Sequence, residues 1–437
     1  MTPLPRLLMQ FVRAGLAVPA LLCATVVGAE EVSHEVSGFR FSGFGTLSRS
    51  WDNNDRMELI RDVTQRPMDN GFNSSGSWKL DSRLGLQFAY RFSPNLEAVA
   101  QVVARSQHSE EFHHYVDLAY LDIQSIPEAR IRLGRVGYDA FLMSDHRNLG
   151  YAYAWMRPPV EFYSWIPIFG LNGGDITHEF QHGDAIWRLR AQAGQSDIVM
   201  PMGTDKFNFH ADSLWSLSLQ RSAGPWRLKA SMSGFTSGAE IEMPIAPLHA
   251  GLRDVAQQTR NLFPAISREA EYMLDETSFK NIRLRYYGVG AAYDDGTWFG
   301  QAEASVLRTG NNIIPQTSNA YAVLGRRIGT WSPFLMFGIS RPDRKLAKPL
   351  NDWTILGANA VNLQTTTYQR ILDSSRFDQE TFSVGTRWDF HSQAALKLQF
   401  DHTRIHPHGY AAYFRDFPEM FRSNNINMLS VGVDFVF

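Results

Sequence analysis

The sequence predicts an all-β chain, a transmembrane antiparallel β-barrel of 16 strands. Three observations carry this. Apolar residues recur at every second position through much of the chain, as in Leu84-Gly85-Leu86-Gln87-Phe88-Ala89-Tyr90 and Leu396-Lys397-Leu398-Gln399-Phe400, the period of a strand with one greasy face. The connections between such runs alternate strictly between short turns and long polar stretches, as in a barrel with tight turns on one side of a membrane and long loops on the other. Mean hydropathy is negative, and no stretch after the first residues reaches the ~20 apolar residues of a helical span. Strands that are apolar only at alternate positions can nonetheless cross a bilayer.

Taken in order, residues 1–29 read as a secretory signal peptide. Arg6 and Arg13 begin it, an apolar run from Ala14 to Val27 follows, and Val27-Gly28-Ala29 offers a small-residue cleavage site. Its removal takes away Cys23, the only cysteine, and with it disulfide or thiolate chemistry. The remainder, 30–437, is the barrel; it carries 40 basic against 44 acidic residues, no excess that would point to nucleic acid. Its strands centre on 39–51, 84–92, 96–105, 115–124, 129–133, 175–180, 186–192 and 214–220. The second half continues with 226–235, 282–293, 298–307, 321–327, 333–339, 382–390, 396–400 and 429–437. Seven short turns, such as His182-Gly183-Asp184 and Asp295-Gly296-Thr297, alternate with eight long connections at 53–82, 106–114, 136–174, 195–212, 236–281, 308–319, 341–379 and 404–425. Aromatics including Tyr90, Trp226, Trp298, Trp331 and Trp388 sit beside the short turns, as in an interfacial girdle. The sheet must close because lipid cannot satisfy open backbone groups. At this strand number the cylinder is too wide to fill with its own side chains. Within residues 237–280, the stretches 247–260 and 266–274 read as helical, giving a long, partly helical outer loop.

The connection after the fifth strand stands apart. It holds Tyr138, Phe141, Tyr151, Tyr153, Trp155, Phe162, Tyr163, Trp165 and Phe169 with no strand period. A loop of this length is functional or disordered, and so many aromatics argue against disorder. It is expected to fold into the lumen and narrow a channel. Its polar rim would be Asp145, Arg147, Arg157 and Glu161, with Tyr153, Trp155 and Tyr163 shaping the opening. Pro158-Pro159 suits a rigid corner. The aromatics could instead do no more than pack the loop on the wall.

Strand parity assigns the wall. If apolar positions face out, then Arg40, Arg83, Arg91, Arg105, Arg130 and Arg132 point inward. So do Arg188, Arg190, Arg227, Lys229, Arg283, Arg285, Arg387 and Lys397, against fewer acids: Glu97, Glu303, Asp389, Asp401 and Asp434. Basic rings favour anions, so a mild anion preference is expected; alternatively the arginines hydrate the wall and pair with neighbours. Arg135 would fall on the lipid side, so the strand is expected to end or bulge at Gly134.

Catalytic and metal readings are weaker. His108, Glu110, Glu111, His113 and His114 cluster in one loop, and His406 and His408 in another, without the i, i+4 framing of a helical metal site; they read as solvated. Asp52, Asn53, Asn54 and Asp55 lack the glycine and distal glutamate of a calcium loop. No Gly-x-Ser-x-Gly turn is present. No metal, cofactor or enzymatic activity is expected.

The chain resembles the bacterial outer-membrane general porins. The terminal run Leu429-Ser430-Val431-Gly432-Val433-Asp434-Phe435-Val436-Phe437 looks like the carboxy-terminal strand that the outer-membrane assembly machinery reads in that class. Arg157-Pro158-Pro159-Val160-Glu161-Phe162-Tyr163, after Leu133-Gly134-Arg135, is similar to a segment of a poorly characterised porin-like branch. The resemblance implies a homotrimer in the outer membrane of a Gram-negative bacterium, among lipid and lipopolysaccharide. It also implies passive diffusion of small hydrophilic solutes. A substrate-selective channel for phosphate, organic acids or sugars is the alternative, and a barrel enzyme or adhesion scaffold a third.

Overall fold

The structure, a computed structural model, describes residues 38–437 apart from 55, 66–75, 110, 127, 165, 203–204, 238–244, 344–347, 411 and 416–421. The expected signal peptide with Cys23, together with Asp55, Glu110 and Trp165, lies outside the described residues. Sixteen antiparallel strands form one closed barrel. They are β1 (Gly38–Asp52), β2 (Arg83–Ser93), β3 (Leu96–Arg105), β4 (Val116–Ile126), β5 (Ala129–Gly137), β6 (Gly170–His182), β7 (Ala185–Met202) and β8 (Asp205–Ala223). The second half comprises β9 (Trp226–Ser237), β10 (Arg283–Asp294), β11 (Trp298–Thr309), β12 (Thr317–Arg326), β13 (Trp331–Pro342), β14 (Phe377–His391), β15 (Ala394–Tyr410) and β16 (Asn424–Val436). Each strand pairs with its sequence neighbours, and β1 closes the ring on β16 from Phe44↔Val436 to Asp52↔Met428. Every edge is thereby paired, which a sheet in lipid requires.

Alternation along the strands produces the two faces. In β13, Trp331, Leu335 and Phe337 are exposed while Ser332, Phe334, Met336 and Ser340 are buried. Exposed Tyr90, Phe180, Trp226, Trp298, Trp331 and Trp388 lie beside the short turns. Stacked Trp331 and Trp388, with centroids 5.4 Å apart, link two neighbouring hairpins.

Three local readings change. Most of 195–212 is strand rather than loop: after a register shift between Gly194 and Ser196, β7 and β8 stay paired from Ser196↔Ala211 to Met202↔Asp205, with Ile198, Phe209 and Ala211 buried. An 18-residue strand spans about 60 Å, so this hairpin rises far beyond the apolar belt. Strand β5 neither ends nor bulges at Gly134: pairing to β4 runs unbroken from Ile123↔Ile131 to Ala119↔Arg135. Gly134 takes φ +128°, and a Cβ there would meet the Ala119 carbonyl at 2.3 Å. Arg135 is satisfied at the rim by the Val116 carbonyl (2.6 Å) and the Asn172 amide oxygen (3.2 Å). Thirdly, Arg283 and Arg285 share the face of exposed Tyr287 and Val289, whereas Leu284 and Tyr286 are buried. They stand on the outside of the barrel.

Two helices, Ala246–Thr259 and Pro264–Glu276, occupy the long outer connection. Leu248, Leu252, Ala270 and Met273 pack with Trp353, Tyr368 and Leu372 of the connection before β14. Buried Glu269 fastens them, accepting from the Leu350 and Asn351 amides, the Asn351 and Gln364 side chains and the Trp353 indole at 2.7–3.0 Å.

Candidate functional site

Residues 138–169 join β5 to β6, and both limbs are buried: 138–143 and 153–164 without a break. Proline fixes φ and removes a donor, so Pro158-Pro159 holds the chain extended before the single helical turn Val160–Tyr163. Backbone groups that cannot bond within such an irregular segment need partners elsewhere, and wall side chains supply them. The Ala140 carbonyl accepts from Ser231 (2.6 Å), the Phe141 carbonyl from Lys229 (2.8 Å), and the Leu142 amide donates to Glu303 (2.8 Å). Lys397 reaches the Gly150 and Trp155 carbonyls (2.7 and 2.9 Å), and the Met156 amide donates to Gln399 (2.7 Å).

The side chains continue the pattern. Tyr138 donates to Ser233 at 2.5 Å. Asp139 takes hydrogen bonds from Ser218 (2.6 Å) and Lys229. Arg157 lies between two carboxylates, Asp81 just before β2 and Asp401 on β15: Nε to Asp81 (3.0 Å), Nη2 to Asp81 (2.7 Å) and Ser430 (2.6 Å), Nη1 to Asp401 (2.8 Å). Burial opposes its charge, but Asp81 and Asp401 outweigh it and raise its affinity for the proton. Glu161 accepts from Gln379 (2.6 Å) and Thr381; burial pushes its carboxyl up against the lowering by those donors. Tyr163 donates to Glu303, which also accepts from Tyr321 at 2.6 Å.

Of the seven expected constriction residues, only Asp145 is in the open, its side chain 57 % exposed. It pairs with Arg190 at 3.3 Å. Enclosure by the wall works against its ionisation, but Arg190, Lys229 and Arg132 together hold it down to about 2. Arg147 is buried, donating to the Ile166 and Ile168 carbonyls, its guanidinium 3.7 Å from the Phe169 ring centre. It therefore ties the tip of the segment to its return toward β6. Tyr153 stacks on Trp155 (centroids 5.4 Å, 21°) and accepts from Arg83 at 2.9 Å. Arg147, Arg157 and Glu161 are thus pins rather than an exposed rim.

The wall cations are mostly neutralised. Arg105 pairs with Asp117 (2.9 Å), Arg130 with Asp122 (3.2 Å), Arg132 with Asp175 (2.6 Å) and Arg188 with Glu179 (2.5 Å). Arg190 meets Asp139 and Asp145, and Lys397 meets Asp434. Arg40 and Arg91 share a single acid, Glu97 (2.6 and 3.2 Å). Parity reasoning missed the acids Asp81, Asp117, Asp122, Asp139 and Glu179 because several sit at strand ends or on the segment, where no period exists. It also missed an apolar patch on the inner face of β10–β13: Tyr286, Phe299, Tyr321, Val323, Phe334 and Met336 pack with Phe141, Trp155 and Phe162. Runs such as Pro333-Phe334-Leu335-Met336-Phe337, apolar at both parities, are the signal that could have revealed it. In the histidine-rich loop, donor atoms of Glu111, His113 and His114 lie within 4.8 Å of one another at the surface.

No family model matches the chain, and no curated protein matches its sequence. Solved structures do. The outer membrane channel DcaP of Acinetobacter baumannii is 11 % identical with a TM-score of 0.50, over 92 % of this chain and 98 % of that one. Salmonella typhi OmpF, solved with daunomycin, is 12 % identical (TM-score 0.47, 91 % and 97 % covered). OmpT of Vibrio cholerae is 10 % identical (TM-score 0.47, 93 % and 100 % covered). At such identity the likeness to DcaP speaks for architecture alone, and that architecture is the closed antiparallel barrel of sixteen strands.

Proposed function

We propose that this chain is a porin of the Gram-negative outer membrane, passing small hydrophilic solutes by diffusion through a channel narrowed by residues 138–169. One observation carries the reading: a closed sheet with apolar side chains outside, whose inner polar side chains hydrogen-bond the irregular segment 138–169. A lipid-facing exterior with a hydrated interior has no use in a soluble protein and is what a membrane channel needs.

A mild anion preference is part of the proposal, and one group of ion pairs supports it. Where Arg40 and Arg91 share Glu97 near the short-turn end, one positive charge is left over, while most other wall cations are matched. A salt-gradient reversal potential in planar bilayers tests this. A small shift toward the anion potential is expected, and clear cation preference overturns it. Deleting the tip around 145–153 is expected to raise conductance; an unchanged value removes the constriction role.

The continuous burial of 153–164 favours a second reading, a channel selective for a phosphate, organic acid or sugar, since packing of this density leaves a narrow path. Concentration-dependent current block by one solute class separates it from general diffusion. The same proposal includes cleavage after Ala29, read out by amino-terminal sequencing of the mature chain, and a homotrimer, read out by mass in detergent. Recognition of Phe437 by the assembly machinery belongs with these; its backbone pairs with Gly43 at 2.9 and 3.0 Å, and truncating it is expected to impair insertion.

A further inference from the structure

Three arginines stand on the wrong face for a channel. In β10 the exposed side holds Arg283, Arg285, Tyr287 and Val289 in succession. In β11 Arg308 lies on the exposed side directly opposite Arg285. All three sit at the long-loop ends of their strands, above an apolar belt whose Tyr287 and Val289 are 48 % and 61 % exposed. Like charges directly opposite each other on one face of a sheet destabilise it. Among the described residues no carboxylate pairs with any of the three; the partner found for Arg308 is the Gln316 amide oxygen at 2.8 Å.

Arg285 is also held in place. Its guanidinium lies over the Trp215 ring at 5.4 Å, and β9 contributes only Gly234 between them. A Cβ at Gly234 would come within 3.2 Å of both Arg285 Cδ and Trp215 Cζ2. The missing side chain therefore leaves a shelf on which an aromatic ring supports a cation. An arginine in the hydrocarbon would cost several kcal/mol, whereas at the interface the cost nearly vanishes. An aromatic ring at that level belongs to the interfacial belt.

We propose that the Trp215–Arg285–Arg308 shelf, with Arg283 beside it, binds the phosphate of an anionic membrane lipid on the outer rim of the barrel. Guanidinium groups match phosphate oxygens in a bidentate fork, and a lipid headgroup reaches this face because its acyl chains lie along Tyr287 and Val289. The proposal rests on the membrane-barrel reading but not on the channel reading.

The test uses the full mature chain purified in detergent, with the R285Q/R308Q double variant. Native mass spectrometry counts retained phosphatidylglycerol against phosphatidylcholine. The parent is expected to prefer phosphatidylglycerol, and the variant to lose about fivefold in affinity for each arginine, about 25-fold in all. Equal retention by parent and variant overturns the proposal, as does lack of preference for the anionic lipid in the parent. Inorganic phosphate stabilising the protein as well as the lipid does would show a free-anion site and overturn the lipid assignment. The reversal potential of the variant is expected to match the parent, since these arginines face away from the channel; a shift would place them inside and overturn the proposal. Conductance of the parent reports separately on the porin reading.

Discussion

Replacing Arg157 by alanine is the most direct challenge to the segment's role. Its guanidinium is 4 % exposed, Asp81 is fully buried and Asp401 is 8 % exposed. Truncation leaves two carboxylates in the wall without their cation, and Ser50 and Ser430 without the donor that reaches them at 3.3 and 2.6 Å. Removing one partner of a buried pair costs about 3–5 kcal/mol, and ~1.4 kcal/mol is tenfold in an equilibrium. Docking of the 153–164 limb is thus expected to weaken by roughly two to four orders of magnitude. The other limb stays held through Asp139 and Glu303. Single-channel recordings of R157A are expected to show larger, noisier openings than the parent. R157K, which keeps the charge and loses the fork, is expected to lie between them. R157M combined with D81N and D401N removes the orphaned charges and is expected to recover part of the parent's quiet conductance. Unchanged conductance and noise in an R157A protein that still migrates as a folded barrel would refute the argument that this residue pins a constriction.

Other expectations follow from the same contacts. Burial, with Arg227 and Lys229 nearby, lowers the His146 imidazole below its usual value, Asp145 opposing. The folded segment therefore binds that proton more weakly than the unfolded chain. Its hold is expected to be full above about pH 6.5 and to weaken as pH falls through the depressed value. Conductance noise should rise between pH 7 and 5 in the parent and stay flat in H146Q. Asp145, held down to about 2, acts lower: its contribution is complete above about pH 4 and lost only on approach to pH 2. E97Q frees Arg40 and Arg91 together and is expected to strengthen anion preference, whereas R40A/R91A is expected to abolish it; reversal potentials read both. E269A strips five donors of their buried acceptor. It is expected to cost the two-helix cap about 3 kcal/mol or more, read as faster proteolysis within 246–276 with the barrel intact.

Much of the fold was legible because an outer face that is apolar on every strand imposes one rule throughout. Leu396-Lys397-Leu398-Gln399-Phe400 can satisfy hydrocarbon on one side and polar partners on the other only as a strand, and the turn glycines Gly183 and Gly224, at φ +63° and +51°, mark where hairpins reverse. The rule fails where the surroundings change. At the long-loop end of β10, Arg283 and Arg285 turn outward while Leu284 and Tyr286 turn in. In the far part of the β7–β8 hairpin the sequence no longer alternates by hydropathy and reads as loop, although pairing resumes after a shift at Gln195 and runs from Ser196↔Ala211 to Met202↔Asp205. Partners were the least legible part. Which acid neutralises Arg105 or Arg132 depends on register between strands, and Asp117 and Asp175 become visible only when β4 and β6 are in place.

The inner wall and the segment explain each other. A cylinder of this width holds water unless something fills it, and Tyr286, Phe299, Tyr321, Phe334 and Met336 would be costly facing that water. Phe141 packs edge-on against Tyr286 (5.5 Å), Phe162 against Tyr321 (5.2 Å) and Trp155 against Phe334 (6.5 Å). The polar side of the cylinder meets the segment differently, through Lys229, Lys397 and the Arg157 carboxylates. An apolar quarter of wall and an aromatic-rich connection are therefore one feature written in two places. Each covers apolar surface that the other would leave facing water, so truncating Phe141 or Phe162 is expected to loosen the segment from β10–β13.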